Sequence, residues 1–210
     1  AHDDSAVGLF RFPLYANRLK VWSGATATSA FTWSPRLNKN ISSNRAQTKL
    51  IGIRDLNGDG ADEMMVWFED GTAKILRGQD LLTMWTAPAG TLYGHEVDDL
   101  DGDGVTDFVL GSKPSANGTL TVYSGATQTE LYSILGSQSN SQIGRAIANL
   151  GDIDADGAGD FAAFDSGLVR IWSGADGRRL ATYEGYDVPD GGFGFALNAV
   201  DTTGDDTKDL

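Results

Sequence analysis

The stretch DLDGDGVTD, from Asp99 to Asp107, decides how this chain is interpreted, because variants of it occur four times. Carboxylates stand at its first, third, fifth and ninth positions. Gly104 stands sixth, where a tight loop needs a backbone conformation that a Cβ penalises. Such alternation lets a short loop surround a hard cation with side-chain oxygens, a carbonyl at the seventh position and a closing carboxylate. Calcium takes six to eight oxygen ligands in flexible geometry, so the stretch predicts a calcium loop.

The other copies are DLNGDGADE at 55–63, DIDADGAGD at 152–160 and DTTGDDTKD at 201–209. We number the four loops in chain order, so that the loop at Asp99 is the second. Ligands are predicted at positions one, three, five, seven and nine, the seventh through its backbone carbonyl. They are Asp55, Asn57, Asp59, Ala61 and Glu63; Asp99, Asp101, Asp103, Val105 and Asp107; Asp152, Asp154, Asp156, Ala158 and Asp160; and Asp201, Thr203, Asp205, Thr207 and Asp209. The fourth copy is degraded, with Asp206 where the glycine should stand.

An EF-hand loop opens with the same spacing but needs a bidentate Glu at position twelve, between two helices. Here the twelfth residues are Val66, Leu110 and Ala163. They lie in apolar runs that are rich in β-branched and aromatic residues and bounded by glycines, which is typical of strands. The sequence therefore predicts calcium loops between strands and excludes EF-hands.

A second repeated element, VWSGAT at 21–26, recurs as ILRGQD at 75–80, VYSGAT at 122–127 and IWSGAD at 171–176. We call these segments the Ser-Gly turns. Both markers have a period of about fifty residues, which indicates a tandem array of one supersecondary unit. The pattern predicts four antiparallel strands in each unit, which is typical of a β-propeller blade. We predict an all-β chain, a β-propeller or a section of one, over 1–210. It divides into a partial blade at 1–40, blades at 41–88, 89–136 and 137–186, and a partial blade at 187–210.

The two ends together make one blade. By alignment, the chain starts inside a calcium loop at Asp4 and stops one residue after the fourth loop. Either the ends share a blade in a closed four-blade ring, or the chain is a section of a longer array with further blades. We favour the section, because a natural domain seldom begins inside a metal loop.

Composition limits the possible partners. The formal charge of −13 argues against nucleic acid or an anionic membrane surface as a partner. No apolar run approaches the roughly twenty residues of a membrane-spanning helix. Calcium loops of the weaker type fill where free calcium is millimolar, so we expect a secreted or cell-surface protein. The chain contains no cysteine, so disulfides contribute nothing.

These residues resemble the FG-GAP (or VCBS-type) repeat, best known from the propeller of integrin α subunits. The match is to a Phe-Gly pair, a strand, the acidic loop and an apolar strand, as in 191–210 and 143–164. The pair is clear at Phe193-Gly194, with Ile143-Gly144 and Tyr93-Gly94 as variants. The resemblance implies a calcium-braced propeller used for extracellular adhesion or recognition, and it does not identify the ligand.

We therefore expect a calcium-stabilised module that recognises a protein or a glycan. The alternatives are part of a secreted polysaccharide lyase or hydrolase, or a purely structural repeat segment. An enzyme would need non-repeated acid and base groups, and beyond His95 and Arg145 the chain offers few, so we predict no catalytic residues. Three aromatics at one position of the repeat, Trp22, Tyr123 and Trp172, favour packing between blades over a sugar-stacking surface.

Overall fold

The computed structural model describes residues 49–68, 72–112, 117–185, 193–194, 196–203 and 208, and the backbone of 5–8, 19–23 and 29–33. The chain divides into two compact units, Ala1–Ala46 and Gln47–Leu210. The described residues form antiparallel strands and turns, which confirms the all-β class. No helix among them has the length and hydropathy that a membrane crossing requires.

The unit Ala1–Ala46 contains one three-stranded antiparallel sheet, the N-terminal sheet. Its strands lie in sequence order: β1 (Ser5–Gly8), β2 (Leu19–Ser23) and β3 (Ser29–Trp33).

The unit Gln47–Leu210 contains three four-stranded sheets, each an antiparallel meander with its strands in sequence order. The first sheet is β4 (Leu50–Ile53), β5 (Glu63–Trp67), β6 (Ala73–Leu76) and β7 (Thr83–Thr86). The second is β8 (Thr91–Glu96), β9 (Phe108–Ser112), β10 (Thr119–Tyr123) and β11 (Glu130–Leu135). The third is β12 (Ile147–Gly151), β13 (Asp160–Asp165), β14 (Leu168–Trp172) and β15 (Arg179–Glu184). The three sheets fall within the segments 41–88, 89–136 and 137–186.

The repeat extends to backbone irregularities. In every sheet the register between the last two strands shifts at or next to the first two residues of the Ser-Gly turn segment. The shifts lie at Ile75/Leu76, Val122/Tyr123 and Ile171/Trp172, and the N-terminal sheet has its own at Val21/Trp22. A bulge bends a strand and increases its local twist. Its recurrence at one position shows that the four sheets are copies of one unit.

The first and second sheets share a hydrophobic core. Met65 and Ile75 of the first sheet are fully buried in it together with Phe108 of the second. Tyr123 stacks on Phe108 with ring centroids 5.6 Å apart, and Trp85 of the first sheet lies 5.2 Å from the Tyr123 ring. The prediction that Tyr123 packs between repeats is confirmed.

The second and third sheets share another core, formed on the opposite face of β9. Val109 follows Phe108 in the strand and points the other way, because successive side chains alternate across a sheet. It is buried with Phe161 and Trp172 of the third sheet, whose ring centroids are 6.0 Å apart. Packing between sheets is therefore confirmed for Trp172, and the side chain of Trp22 lies outside the described residues. The middle strands of the second sheet, β9 and β10, are buried because a neighbouring sheet covers each face.

The first strands of consecutive sheets are neighbours, β4 beside β8 and β8 beside β12. Polar side chains join them. Arg54, after β4, pairs with Glu96 and donates to Asp98 Oδ1 at 3.2 Å. The same Asp98 oxygen accepts a bond from Asn149 Nδ2 of β12 at 2.9 Å. One side chain of the second sheet is thus held by residues of both its neighbours.

Candidate metal centres

Each acidic loop connects the first strand of a sheet to the second, so all three described loops lie at the same end of their sheets. In the second loop the Asp99 carboxylate lies inside the turn. Its Oδ1 accepts a hydrogen bond from the Gly102 amide at 2.7 Å, and its Oδ2 accepts one from the Gly104 amide at 2.7 Å. Both glycines have positive φ, 80° and 89°, which a side chain would strain. These bonds fold the loop around its first carboxylate.

The first and third loops repeat this arrangement. Asp55 accepts amide bonds at 2.7 Å from both Gly58 and Gly60. Asp152 accepts them from Asp156 at 3.1 Å and from Gly157 at 2.9 Å. Backbone hydrogen bonds, that from Gly60 first among them, hold the pKa of Asp55 below its ordinary value. The backbone therefore positions the first-position carboxylate of each described loop, and in the first loop it also favours the ionised form of Asp55.

The ninth-position carboxylate closes each loop from within the protein. Asp107 is fully buried and accepts bonds from the amides of Leu100 at 2.7 Å and Gly125 at 2.8 Å. Burial raises the pKa of Asp107 to about 6, and it also raises the pKa of the buried Glu63 and Asp160. A bound cation would offset the cost of burying each negative charge.

The structure brings the predicted ligands together in three groups, within each of which carboxylate oxygens lie within 4.8 Å of one another. The groups are Asp55, Asp59 and Glu63; Asp99, Asp101 and Asp107; and Asp152, Asp154 and Asp160. Each could hold a metal ion. Asp103 and Asp156 fall outside these groups, and their Oδ1 atoms accept the amides of Val105 at 2.9 Å and Ala158 at 3.0 Å.

Asn57 takes part in the first loop through both atoms of its amide. Its Oδ1 accepts the Asp59 amide at 2.9 Å, and its Nδ2 donates to Glu63 Oε1 at 2.8 Å. The carbonyl ligands predicted at Ala61, Val105 and Ala158 stay a prediction. In the fourth loop the Thr203 amide donates to Asp201 Oδ1 at 3.1 Å, and Asp205, Thr207 and Asp209 lie outside the described residues.

The two repeated markers of the sequence contact each other, which local sequence patterns could not show. A Cβ added to Gly125 of the Ser-Gly turn would lie 1.8 Å from the carbonyl oxygen of Thr106, the eighth residue of the second loop. The same clash would occur between Gly78 and Asp62 at 2.0 Å, and between Gly174 and Gly159 at 1.8 Å. None of these three turn glycines has positive φ. They are required because loop and turn approach closely.

A polar cavity of about 220 Å³ lies where the first strands meet. We call it the polar cavity; its polar lining residues are Arg54, His95, Glu96, Asn149, Asn198 and Lys208. His95 Nδ1 lies 2.6 Å from the backbone carbonyl oxygen of Glu96. Arg145 does not line the cavity and donates to Gln142 Oε1 at 3.1 Å. Among the described residues, no hydrogen bond joins His95 to a nucleophilic side chain.

No protein-family model matches the chain, and no curated protein is significantly similar to it. The residues themselves define the candidate site. Clustered carboxylate and amide oxygens suit a hard cation, whereas the described part of the chain offers no nitrogen-and-sulfur ligand set of the kind that zinc prefers.

Proposed function

We propose that this chain is a calcium-stabilised module of the β-propeller type, in which calcium has a structural role. One observation supports this most directly. In all three described loops, the buried ninth-position carboxylate bonds to the amide of the second loop residue, and in the second and third loops also to the glycine amide of the Ser-Gly turn. A cation held by that carboxylate would order the loop and the turn together.

Calcium is the metal that best fits the loops. Its six to eight oxygen ligands at 2.3–2.6 Å tolerate irregular geometry, whereas magnesium needs a near-ideal octahedron and keeps several waters. Three to four acidic or amide side chains in one nine-residue loop give oxygen ligands and no others. The proposed sites comprise the four loops, with ligands at the positions set out above.

The propeller-type arrangement is supported by two features of the sheets. Consecutive four-stranded sheets pack face to face, and their first strands lie nearest to one another. Propellers combine these features, since radial repetition leaves only short strand edges. We further propose membership of the FG-GAP group, because Gly144 and Gly194 have positive φ, 78° and 74°, and fit closely against the preceding sheet.

We propose that the module acts outside the cell in recognition of a protein or glycan. The polar cavity supports this, since its lining of amide and charged side chains suits a hydroxyl-rich or zwitterionic ligand. Binding to a glycan array, followed by loss of binding in Asn198→Leu, would locate the site. Release of reducing ends from polysaccharides would instead favour the secreted enzyme, for which His95 and Glu96 beside the cavity are the candidate groups.

The structural role of calcium is tested by thermal unfolding in CaCl₂, MgCl₂ and EDTA, with native mass spectrometry to count bound ions. We expect at least three ions and a higher melting temperature in CaCl₂ than in either other condition. Without a cation the clustered carboxylates repel one another, so EDTA should lower the melting temperature. An unchanged melting temperature in EDTA would show that the loops do not need a metal.

A further inference from the structure

We propose that Arg178 is a built-in counter-ion of the third loop, and that it makes the calcium site there weaker than the site in the second loop. The inference rests on the proposed function, because it orders the affinities of sites that have been proposed to bind calcium. It predicts that the second loop fills at a lower calcium concentration than the third.

The contact is direct. Arg178 Nη2 donates to Asp154 Oδ2 at 3.0 Å. Asp154 holds the third position of the loop and belongs to the carboxylate group with Asp152 and Asp160. A cation entering the third loop therefore meets a ligand that already pairs with a positive charge. It must displace the guanidinium or share the carboxylate with it.

A second side-chain hydrogen bond to the third loop should also weaken its binding of calcium. Ser173 Oγ donates to Asp156 Oδ2 at 3.1 Å, at the fifth position. In the second loop, by contrast, the hydrogen bond described for the carboxylate of Asp103 comes from a backbone amide, that of Val105, which donates to its Oδ1 at 2.9 Å. The third loop thus has side-chain donors on two of its predicted ligands.

The chain offers an internal comparison, because the three described Ser-Gly turns share one backbone hydrogen bond. The amide of the residue before each turn glycine donates to the carbonyl five residues later: Arg77 to Leu82 at 3.0 Å, Ser124 to Thr129 at 2.9 Å and Ser173 to Arg178 at 2.8 Å. Leu82, Thr129 and Arg178 therefore occupy one structural position. Of the three, only Arg178 carries a charge.

The charge balance of the loops follows from this position. The second and third loops each have aspartates at positions one, three, five and nine. Within the described part of the chain, no basic side chain forms an ion pair with those of the second loop, whereas Arg178 neutralises one in the third. Ligand charge tunes the calcium affinity of acidic loops. Two sites of equal ligand count should therefore differ, with the second the tighter.

The sixth-position glycine amides permit a site-resolved test. Gly104 and Gly157 donate to the first-position carboxylates of the second and third loops, at 2.7 and 2.9 Å, so their NMR resonances will report cation binding to each loop separately. Calcium is titrated into the EDTA-treated and desalted full chain. We expect the Gly104 resonance to shift at a lower calcium concentration than that of Gly157.

Two reciprocal substitutions and one control complete the design. Arg178→Thr should tighten the third site by about fivefold, the equivalent of an exposed ion pair worth about 1 kcal/mol, and leave the Gly104 midpoint unchanged. Thr129→Arg should weaken the second site by a similar factor. Arg178→Lys keeps the charge and should stay close to the wild type. In EDTA, Arg178→Thr should also lower the melting temperature, because Asp154 then loses its only ion-pair partner among the described residues.

The outcomes separate the two proposals. If neither glycine resonance moves with calcium, the proposed function fails and the inference with it. If both move but the midpoint of Gly157 lies at or below that of Gly104, or does not change in Arg178→Thr, the inference alone is overturned. Movement of both midpoints by Arg178→Thr would indicate a general charge effect and would also contradict it.

Discussion

The carboxylate of Asp107, the last residue of the second loop, accepts a hydrogen bond from the backbone amide of Gly125 in the Ser-Gly turn between β10 and β11, at 2.8 Å. The third sheet repeats the relationship between Asp160 and Gly174 at 3.1 Å. The two markers that recur along the sequence are therefore two halves of one structural unit. Whatever orders the acidic loop also positions the turn that leads into the fourth strand.

Replacement of Asp107 by Asn should remove the stabilisation that the calcium ion of the second loop contributes. The buried site would lose the charge that holds the cation, while the loop keeps its other carboxylates. At a calcium concentration of about 100 times the dissociation constant, the loss would be about 2.7 kcal/mol. Urea unfolding gives the free energy of unfolding in CaCl₂ and in EDTA, and the difference between the two values should be smaller in Asp107→Asn than in the wild type. Glu184→Gln, at the exposed end of β15, is the matched control and should keep the full difference. An equal calcium effect in Asp107→Asn and the control would show that Asp107 does not bind the metal.

Replacement of Gly125 by Ala should destabilise the fold more than a change at a glycine that only needs positive φ. The new Cβ would lie 1.8 Å from the Thr106 carbonyl oxygen, so the backbone of loop or turn must move. Gly167 in the β13–β14 hairpin has φ of 82° and open space around its Cβ position. Its replacement by Ala should cost about 1–2 kcal/mol, the ordinary cost of a left-handed residue. Urea denaturation in EDTA compares the two variants without metal. Equal losses would contradict the close approach of loop and turn.

The sequence predicted the strands and loops well because their signals are local. Alternating carboxylates, turn glycines and short apolar runs each act within about ten residues, and their repetition removed the remaining ambiguity. The contacts between repeats had no such signal. The glycine of the Ser-Gly turn looks like an ordinary turn residue, and only the structure shows that the Thr106 carbonyl excludes a side chain there. Likewise, nothing in the sequence pairs Arg54 with Asp98 or Arg178 with Asp154.

The second residue of the first loop and that of the second loop each lie against the next sheet, and this predicts a graded series of truncations. The position of a Cβ on Gly125 lies 3.0 Å from Leu56 Cδ2 of the first loop, and that on Gly174 lies 2.6 Å from Leu100 Cδ2 of the second. Leu56 and Leu100 are 5% and 9% exposed, whereas Ile153 of the third loop is 38% exposed. Leu100→Ala should therefore cost about 2–5 kcal/mol, as large-to-small changes in a core do. Ile153→Ala should cost well under half of that.

Chemical denaturation in EDTA measures the loss of stability in each variant. Leu56→Ala tests the same buried position in the first loop and should cost as much as Leu100→Ala. All three positions stand second in an acidic loop, so any effect on the loop itself is common to them. A loss in Ile153→Ala as large as that in Leu100→Ala would mean that Ile153 is also packed against a partner in solution.

The buried ion pair at the other end of the third sheet should be the most costly charge to disturb. Asp165 is fully buried and pairs with Arg170, whose side chain is 12% exposed, and it accepts a bond from the Ser137 amide at 3.2 Å. Arg170→Met would leave this carboxylate without its cation, and breaking one side of a buried pair costs about 3–5 kcal/mol. Arg77→Met breaks the pair with Asp80, in which both side chains are about 40% exposed, and should cost far less because solvent screens an exposed pair. Urea unfolding of the two variants compares their losses of stability.

Because the cost comes from the uncompensated charge, the double variant Asp165→Asn, Arg170→Met should regain part of the stability lost in Arg170→Met. A double variant less stable than Arg170→Met alone would show that the hydrogen bonds of Asp165, and not its pairing with Arg170, hold this end of the sheet.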